Sequence, residues 1–351
     1  MHRLAKLAYR IALSNISELL YPYRLTYAVT NRCQARCVMC GIWQKQPADE
    51  LSLAEIDTFF SRSNRFSWIN LTGGELFLRD DIVDIIRSIN KHCRELYLLN
   101  FPTNGYQTEH IVAAVQEILT HMSIPRLMVT ISLDGPRELH DHIRGLTGAY
   151  LQALSTFRRL RELRSRHFSV YLGYTLQEAN LHLFQDTLEA VRSDLGALAE
   201  DEIHVNLAHI SGHYYANSMF AGVPDPRETE EVFAHITAKR TQGMSPVGFL
   251  EQAYQRLARI YLKTGRVPLT CEAAAASCFM DPTGLVYPCT SFDSPLGSIR
   301  DHDYHIYRLW RTPERQRARK AVCNEACPGC WTPCEAYQTI LANLLKKSIF
   351  L

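Results

Sequence analysis

The sequence predicts an α/β protein, a parallel sheet of six strand–helix units followed by a small cysteine-rich unit. Three observations predict it. From Tyr23 to about residue 210, short apolar runs alternate with amphipathic stretches, one unit every 30–40 residues or so. Beyond Cys271 the composition shifts and cysteines crowd together. The chain has 351 residues, a net charge of +2, 46% hydrophobic and 21% charged residues, enough to bury a core without covalent staples.

The elements follow in order. Residues 1–22 open with an amphipathic helix in which Leu4, Leu7, Ala8, Ile11 and Ala12 fall at helical spacing. Strands are predicted at Arg24–Val29, Ser67–Leu71, Glu95–Asn100, Leu127–Leu133, Phe168–Thr175 and Glu202–Ala208. Helices are predicted between them at 53–62, 80–93, 107–121, 149–165 and 182–193, the first opened by a capping box of Ser52 and Glu55. This core spans 23–225. A helical connection occupies 226–265, with helices at 226–241 and 247–264. Residues 266–351 form the cysteine-rich unit: a hairpin of Ser277–Met280 and Leu285–Cys289 around Asp281-Pro-Thr-Gly284, a helix near 303–320, and a final helix. The strand–helix alternation fits either a Rossmann-type sheet or an incomplete barrel. Either puts the chemistry at the C-terminal strand ends.

Near-neutral charge argues against a nucleic-acid binder, and no apolar run reaches 18 residues. The 11 cysteines divide into Cys33, Cys37 and Cys40, a lone Cys93, and seven between Cys271 and Cys334. With no apolar signal segment at the N-terminus, such clusters read as metal or iron–sulfur ligands in a reducing cytoplasm, and Cys93 as a small buried apolar residue.

Cys33-Gln-Ala-Arg-Cys37-Val-Met-Cys40 follows the first strand directly. Three thiolates on one tight loop can hold three irons of a cubane and leave the fourth open, whereas structural zinc asks for four protein ligands. Asn70-Leu-Thr-Gly73-Gly74-Glu75 follows the second strand, where glycines admit close backbone approach and a carboxylate can accept from an ammonium group. Pro102-Thr-Asn104-Gly105 ends the third strand and Ile131-Ser132-Leu-Asp134-Gly135 the fourth, with Arg144-Gly145 beyond it; Asn180 follows the fifth.

On these motifs, in this order, the chain resembles the radical S-adenosylmethionine (SAM) enzymes. One departure is Met39, where an aromatic residue often precedes the third cysteine. The resemblance implies a partial (β/α)6 barrel whose mouth carries a [4Fe–4S] cluster on Cys33, Cys37 and Cys40. It implies that SAM chelates the open iron, and that one electron cleaves it to methionine and a 5′-deoxyadenosyl radical that abstracts hydrogen from a substrate. It also implies SAM contacts from Gly73, Gly74 and Glu75, Asn104, Ser132, Asp134, Arg144 and Asn180.

The second cysteine field resembles a SPASM domain, which carries auxiliary [4Fe–4S] clusters. That resemblance implies one cluster on Cys271, Cys278, Cys289 and Cys334, while Cys323, Cys327 and Cys330 lack a fourth cysteine. Glu325 or Glu335 would complete a second cluster, or an iron stays open, or that cluster is absent; zinc is the competing occupant of the field. His204, His209, His213, Tyr214 and Tyr215 stand near the sixth strand end as substrate or proton-relay candidates, against a purely structural role.

The expectation is therefore an enzyme that modifies a peptide or protein oxidatively. A small-molecule, cofactor or lipid precursor is the alternative substrate, and a non-enzymatic electron-transfer module the alternative of another class. A flavodoxin or ferredoxin is the expected reductant. Only about 22 residues precede the first strand, too few for a peptide-binding domain. Basic and apolar residues at both ends (Arg3, Lys6 and Arg10; Lys346, Lys347, Ile349, Phe350 and Leu351), with Arg308, Arg311, Arg315, Arg317, Arg319 and Lys320, suggest peripheral membrane contact, against packing of these helices on the body.

Overall fold

A computed structural model describes residues 2–219, 224–238 and 246–345. Six parallel strands form the core sheet: β1 (Arg24–Ala28), β2 (Trp68–Thr72), β3 (Leu98–Thr103), β4 (Arg126–Ser132), β5 (Phe168–Leu176) and β6 (Ile203–Leu207), each pairing with the next. Helices α1 (His2–Ser14), α2 (Leu53–Arg62), α3 (Ile82–His92), α4 (Thr108–His121), α5 (Arg137–Arg144), α6 (Ala149–Glu162) and α7 (Phe184–Leu195) accompany them. Then come α8 (Pro226–Ala238) and α9 (Pro246–Thr264).

Strand alternation decides which side chains face where. One face presents Leu25, Tyr27, Ile69, Leu71, Leu99, Phe101, Val129 and Leu172 to a continuous apolar core. The other presents Trp68, Asn70, Thr72, Asn100, Met128, Thr130, Ser132, Thr175, His204 and Asn206 to an interior cavity. The register aligns Arg24, Trp68 and Leu98 at the strand starts, with Asn70, Asn100 and Met128 in the row formed two residues further along.

The capping box of α2 forms: the Ser52 hydroxyl accepts from Glu55 N–H at 3.3 Å and the Glu55 carboxylate accepts from Ser52 N–H at 2.9 Å. β3 lies three residues later than the sequence pattern suggests, because Tyr97 and Leu98 N–H share the Ser67 carbonyl and strand pairing starts there. α5 went unpredicted; only His140 and Ile143 of its eight residues are buried, too few to leave a periodic signal.

The cysteine-rich unit extends the same sheet. β7 (Ser277–Met280) runs parallel to β1, and β8 (Leu285–Tyr287) and β9 (Gly297–Ser298) follow antiparallel, giving nine strands in the order β6-β5-β4-β3-β2-β1-β7-β8-β9. At the β7–β8 turn the Asp281 carboxylate accepts from Thr283 N–H and Leu285 N–H, and Gly284 takes a φ of +88°. The predicted helix at 303–320 is instead two, α10 (Ile306–Leu309) and α11 (Pro313–Cys323). Thr312 caps the second and Pro313 can occupy only its first turn. α12 is Pro333–Leu341.

α1 buries Leu7 and packs Ile11 on the body, and its cations are held by protein: Arg3 donates to the Leu96 and Ser123 carbonyls, and Lys6 and Arg10 pair with Glu95. Arg315 and Arg319 likewise turn inward, to the Ala274 carbonyl and to Glu272. The expected basic surface is thereby reduced. Lys346, Lys347, Ile349, Phe350 and Leu351 lie outside the described residues. No helix among the described residues is long and apolar enough to cross a membrane.

Candidate active site

The loop after β1 carries Cys33, Cys37 and Cys40, and three neighbouring segments hold it. From the β2 side, Gly74 and Glu75 N–H donate to the Thr30 and Arg32 carbonyls, both at 2.8 Å. From the α5 side, the Arg144 and Ile143 carbonyls accept from Arg36 and Val38 N–H at 2.9 Å. From the segment after β6, the Tyr215 carbonyl accepts from Gly41 N–H at 2.7 Å, and the Asn217 side chain donates to the Met39 carbonyl at 3.0 Å. The glycines of the second motif serve this packing. A Cβ on Gly73 would stand 2.3 Å from the Thr30 carbonyl oxygen, and one on Gly74 2.1 Å from that of Arg32. The close approach is backbone to backbone.

All three thiols line an interior cavity of about 390 Å³, together with Gly73, Gly74, Glu75, Asn104, Ser132 and Arg144. Among the described residues no three His, Cys, Asp or Glu side chains converge on the space of a single metal ion. A cubane is larger than one ion and asks for thiolates held around a wider body. Burial pushes the Cys33 thiol up to about 12 and the Cys40 thiol up to about 11. Loading a cluster must therefore expel protons. Arg144 stands 3.7 Å from the Cys37 sulfur, a cation placed to favour thiolate.

Arg144 is held by Asp134, which is fully buried and also accepts from Thr175 N–H at 2.8 Å. Burial pushes the Asp134 carboxyl up, and Arg144 opposes this. Burial lowers the affinity of Arg144 for its proton, but the Asp134 and Cys37 charges outweigh it and the guanidinium ends above its ordinary value. The Arg144 Nε remains without a protein partner, as does the buried Asn104 Nδ2. These two unused donors beside three thiols suit an anionic cluster and a ligand bearing a carboxylate and polar groups. The residues present fit the cluster and SAM.

Glu75 lines the cavity and also braces the strand end beside it. Its carboxylate accepts from Thr103 Oγ1 at 2.9 Å, Asn104 N–H at 2.8 Å and Phe77 N–H at 3.3 Å, and so fixes the end of β3. Burial raises its pKa to about 6 against these bonds. Asp134 and Asn180 do not line the cavity. Asn180 donates to the Asp134 and Thr175 carbonyls at 2.9 Å and accepts from Gln177 N–H, which ties the β4 and β5 ends together from behind.

His204 and His209 line the cavity; His213 does not. His204 stacks on Tyr171 and lies 3.7 Å from Glu251, while His213 stacks on Tyr287 and bonds the Cys289 carbonyl. Burial lowers His209 to about 4, so it is neutral at physiological pH. Tyr214 donates or accepts at Thr72 Oγ1, 2.7 Å away, and Tyr215 lends its carbonyl to the cysteine loop, so both have structural work.

The second cysteine field divides differently from the implied ligand set. Cys271 and Cys327, both partly buried, pack against the small cluster that holds Cys289, and Cys330 lies near enough to raise both Cys271 and Cys289 further beyond the effect of burial. Cys278 packs in the main core, while Cys334 lines the large cavity and stands near enough to Cys330 to raise its thiol. The cause is the pairing of β7 with β1, which turns Cys278 into the apolar layer beside Leu25. Cys323 is exposed. Glu325 is exposed too, while Glu335 is buried and accepts from Ser277 and Gln338. Cys93 is fully buried in the core, as expected.

A partial barrel with a three-thiol loop at its mouth, and a second thiol group beside the strands that extend its sheet, fits an iron–sulfur enzyme of the SAM-cleaving class. Comparison with known proteins agrees. The Radical SAM superfamily profile matches residues 27–191, and the SPASM iron–sulfur cluster-binding domain profile matches 271–331. Three curated relatives align over most of the chain. The AdoMet-dependent heme synthase of Oleidesulfovibrio alaskensis is 27% identical, covering 87% of this chain and 81% of its own length. The subtilosin biosynthesis protein AlbA of Bacillus subtilis is 23% identical, covering 92% and 70%. The GTP 3′,8-cyclase of Rhodopseudomonas palustris is 30% identical, covering 84% and 90%. Among solved structures, Streptococcus suis SuiB bound to precursor peptide SuiA superposes with a TM-score of 0.58 at 14% identity, covering 98% of this chain and 76% of that one. The chain belongs to the radical SAM superfamily and carries a SPASM domain.

Proposed function

We propose that this enzyme modifies a biosynthetic intermediate, a peptide side chain or a cofactor precursor, inside the barrel by hydrogen abstraction from an unactivated carbon. The observation that carries the reading is a single cavity that reaches from the three thiols of the first loop to Cys334 of the second field. When bound, the cluster and SAM supply a 5′-deoxyadenosyl radical for that abstraction. The protein's own part is to hold the cysteine loop by backbone bonds on three sides, to set Arg144 beside Cys37, and to offer a cavity lined by polar residues at alternate strand positions. Asn104 and Ser132 offer hydrogen-bonding groups at the strand ends for SAM. Cysteines of the second field would hold auxiliary iron–sulfur centres, a route by which an electron leaves the substrate; a flavodoxin or ferredoxin is the proposed donor to the first cluster.

Relatives named for heme synthesis and for bacteriocin biosynthesis support oxidative maturation of either substrate class. The experiment is a screen of precursor peptides and tetrapyrrole precursors with the reconstituted enzyme, read by mass spectrometry. A product lighter by hydrogen or carbon dioxide, formed only with SAM and reductant, supports the reading. A product that forms without SAM contradicts it.

A further inference from the structure

Deep in the cavity, at the start of β1, lies a guanidinium without a hydrogen-bond partner. Arg24 is 2% exposed, yet its Nε and Nη1 meet no acceptor. The guanidinium sits over the Trp68 ring at 4.1 Å, and Trp68 in turn stacks on Tyr337. Glu335 and Cys334 act on it by charge without a hydrogen bond; Glu335 Oε2 accepts instead from Ser277 and Gln338, and its Oε1 meets no donor. An arginine cannot shed its charge on burial, so an isolated one is costly unless an anion arrives to meet it.

Three alternatives for that anion are in the cavity or enter it. The cavity's own charged groups are engaged: Arg144 with Asp134, Glu75 with the β3 end, and Glu251 with Tyr337 and His204. The SAM carboxylate would bind near the first loop, and Arg24 is separated from that loop by the length of β1, about 13 Å at a rise of ~3.3 Å per residue. An iron–sulfur centre on Cys334 would be anionic as well, but a fork of unused N–H donors is the shape that a carboxylate fills. Trp68 beside Arg24, and Leu98 beside Trp68, give the site an apolar wall, suited to a carboxylate on a short aliphatic chain.

We infer that Arg24 is the substrate-carboxylate anchor of the barrel: the substrate carries a carboxylate that binds Arg24 over Trp68, between the two cysteine fields. This rests on the proposed function only in assuming that the cavity admits the substrate. Binding can be read without turnover, in the reconstituted, SAM-saturated enzyme, by calorimetric titration with hexanoate and with its neutral isostere hexanamide. Hexanoate is expected to bind at least about tenfold more tightly, and Arg24→Gln to erase the difference. Arg24→Lys should retain part of it, since a point charge keeps attraction but loses the fork. Equal affinities for the two probes, or a hexanoate preference that survives Arg24→Gln, overturns the inference.

Two controls keep a structural role apart. With no ligand, Arg24→Met should leave the unfolding midpoint unchanged or raised; a marked fall would mean that Arg24 stabilises the fold instead. An auxiliary-cluster potential shifted by Arg24→Gln, with hexanoate affinity unaltered, would assign Arg24 to the cluster and refute the carboxylate site. An enzyme that discriminates hexanoate but never yields 5′-deoxyadenosine would leave this site standing and sink the proposed activity.

Discussion

Replacing Asp134 with Asn removes one charge from behind the active site and little else. The Oδ1 acceptor for Thr175 N–H survives in the amide, so the β4–β5 tie at 2.8 Å is kept. What is lost is the countercharge of Arg144, whose side chain is 12% exposed while that of Asp134 is fully buried. Breaking a buried pair by removing one partner costs roughly 3–5 kcal/mol, because the other charge stays behind. Arg144 keeps the Cys37 sulfur nearby, so the lower end applies, about 3 kcal/mol. Urea unfolding of the metal-free protein reads this directly, and at roughly 2 °C per kcal/mol the Tm should fall by about 6 °C. Arg144→Met made on top of Asp134→Asn should recover part of the loss, with a coupling of about 2 kcal/mol between the two sites. Single-variant losses that simply add to the double-variant loss would refute the ion pair as the brace of the cysteine loop.

Further outcomes follow from the same geometry. Gly74→Ala should fold but load little iron on the first loop, since its Cβ would meet the Arg32 carbonyl at 2.1 Å; iron analysis after anaerobic reconstitution checks it. Cys271→Ala and Cys289→Ala should lose auxiliary iron while Cys278→Ala keeps it, and the reverse pattern would restore the ligand set implied by resemblance. Glu75 has a pKa raised to about 6, above the unfolded value near 4.3. Its contribution is therefore fully present below about pH 4.3 and declines as pH rises through 6, by about 2 kcal/mol. Glu75→Gln should flatten that part of the stability–pH curve. Because Cys33 and Cys40 are held as thiols up to about 12 and 11, first-cluster assembly should release at least two protons and become more favourable from pH 7 to pH 8; an assembly indifferent to pH would contradict this.

Most of the barrel was legible in the sequence because each strand ends on a motif. Cys33, Gly74, Asn104 and Ser132 mark four strand ends, and the structure gathers all four around one cavity. The resemblance implies ligand contacts from Asp134 and Asn180, and in the structure both stand behind the cavity wall; a motif shows that a residue matters at a strand end, not which way its side chain turns. The cavity wall left a signal that went unread. Asn70, Asn100, Thr130 and Asn206 are polar residues at alternate positions in otherwise apolar strands, the period that separates a wet face from a packed one. The pairing of β7 with β1 was not legible at all. It joins residues about 250 apart, and a hairpin pattern looks the same whether it stands alone or extends a sheet. That one contact also decided the fate of Cys278.

The central claim is that Cys33, Cys37 and Cys40 hold the centre that cleaves SAM. The most direct measurement is 5′-deoxyadenosine formed by the anaerobically reconstituted enzyme with SAM and dithionite, compared with that of Cys37→Ala. The account predicts steady formation by the wild-type protein and background for the variant, while Cys334→Ala retains uncoupled cleavage. Equal product from the wild-type protein and Cys37→Ala, or none from wild-type protein whose first cluster is intact, would contradict it.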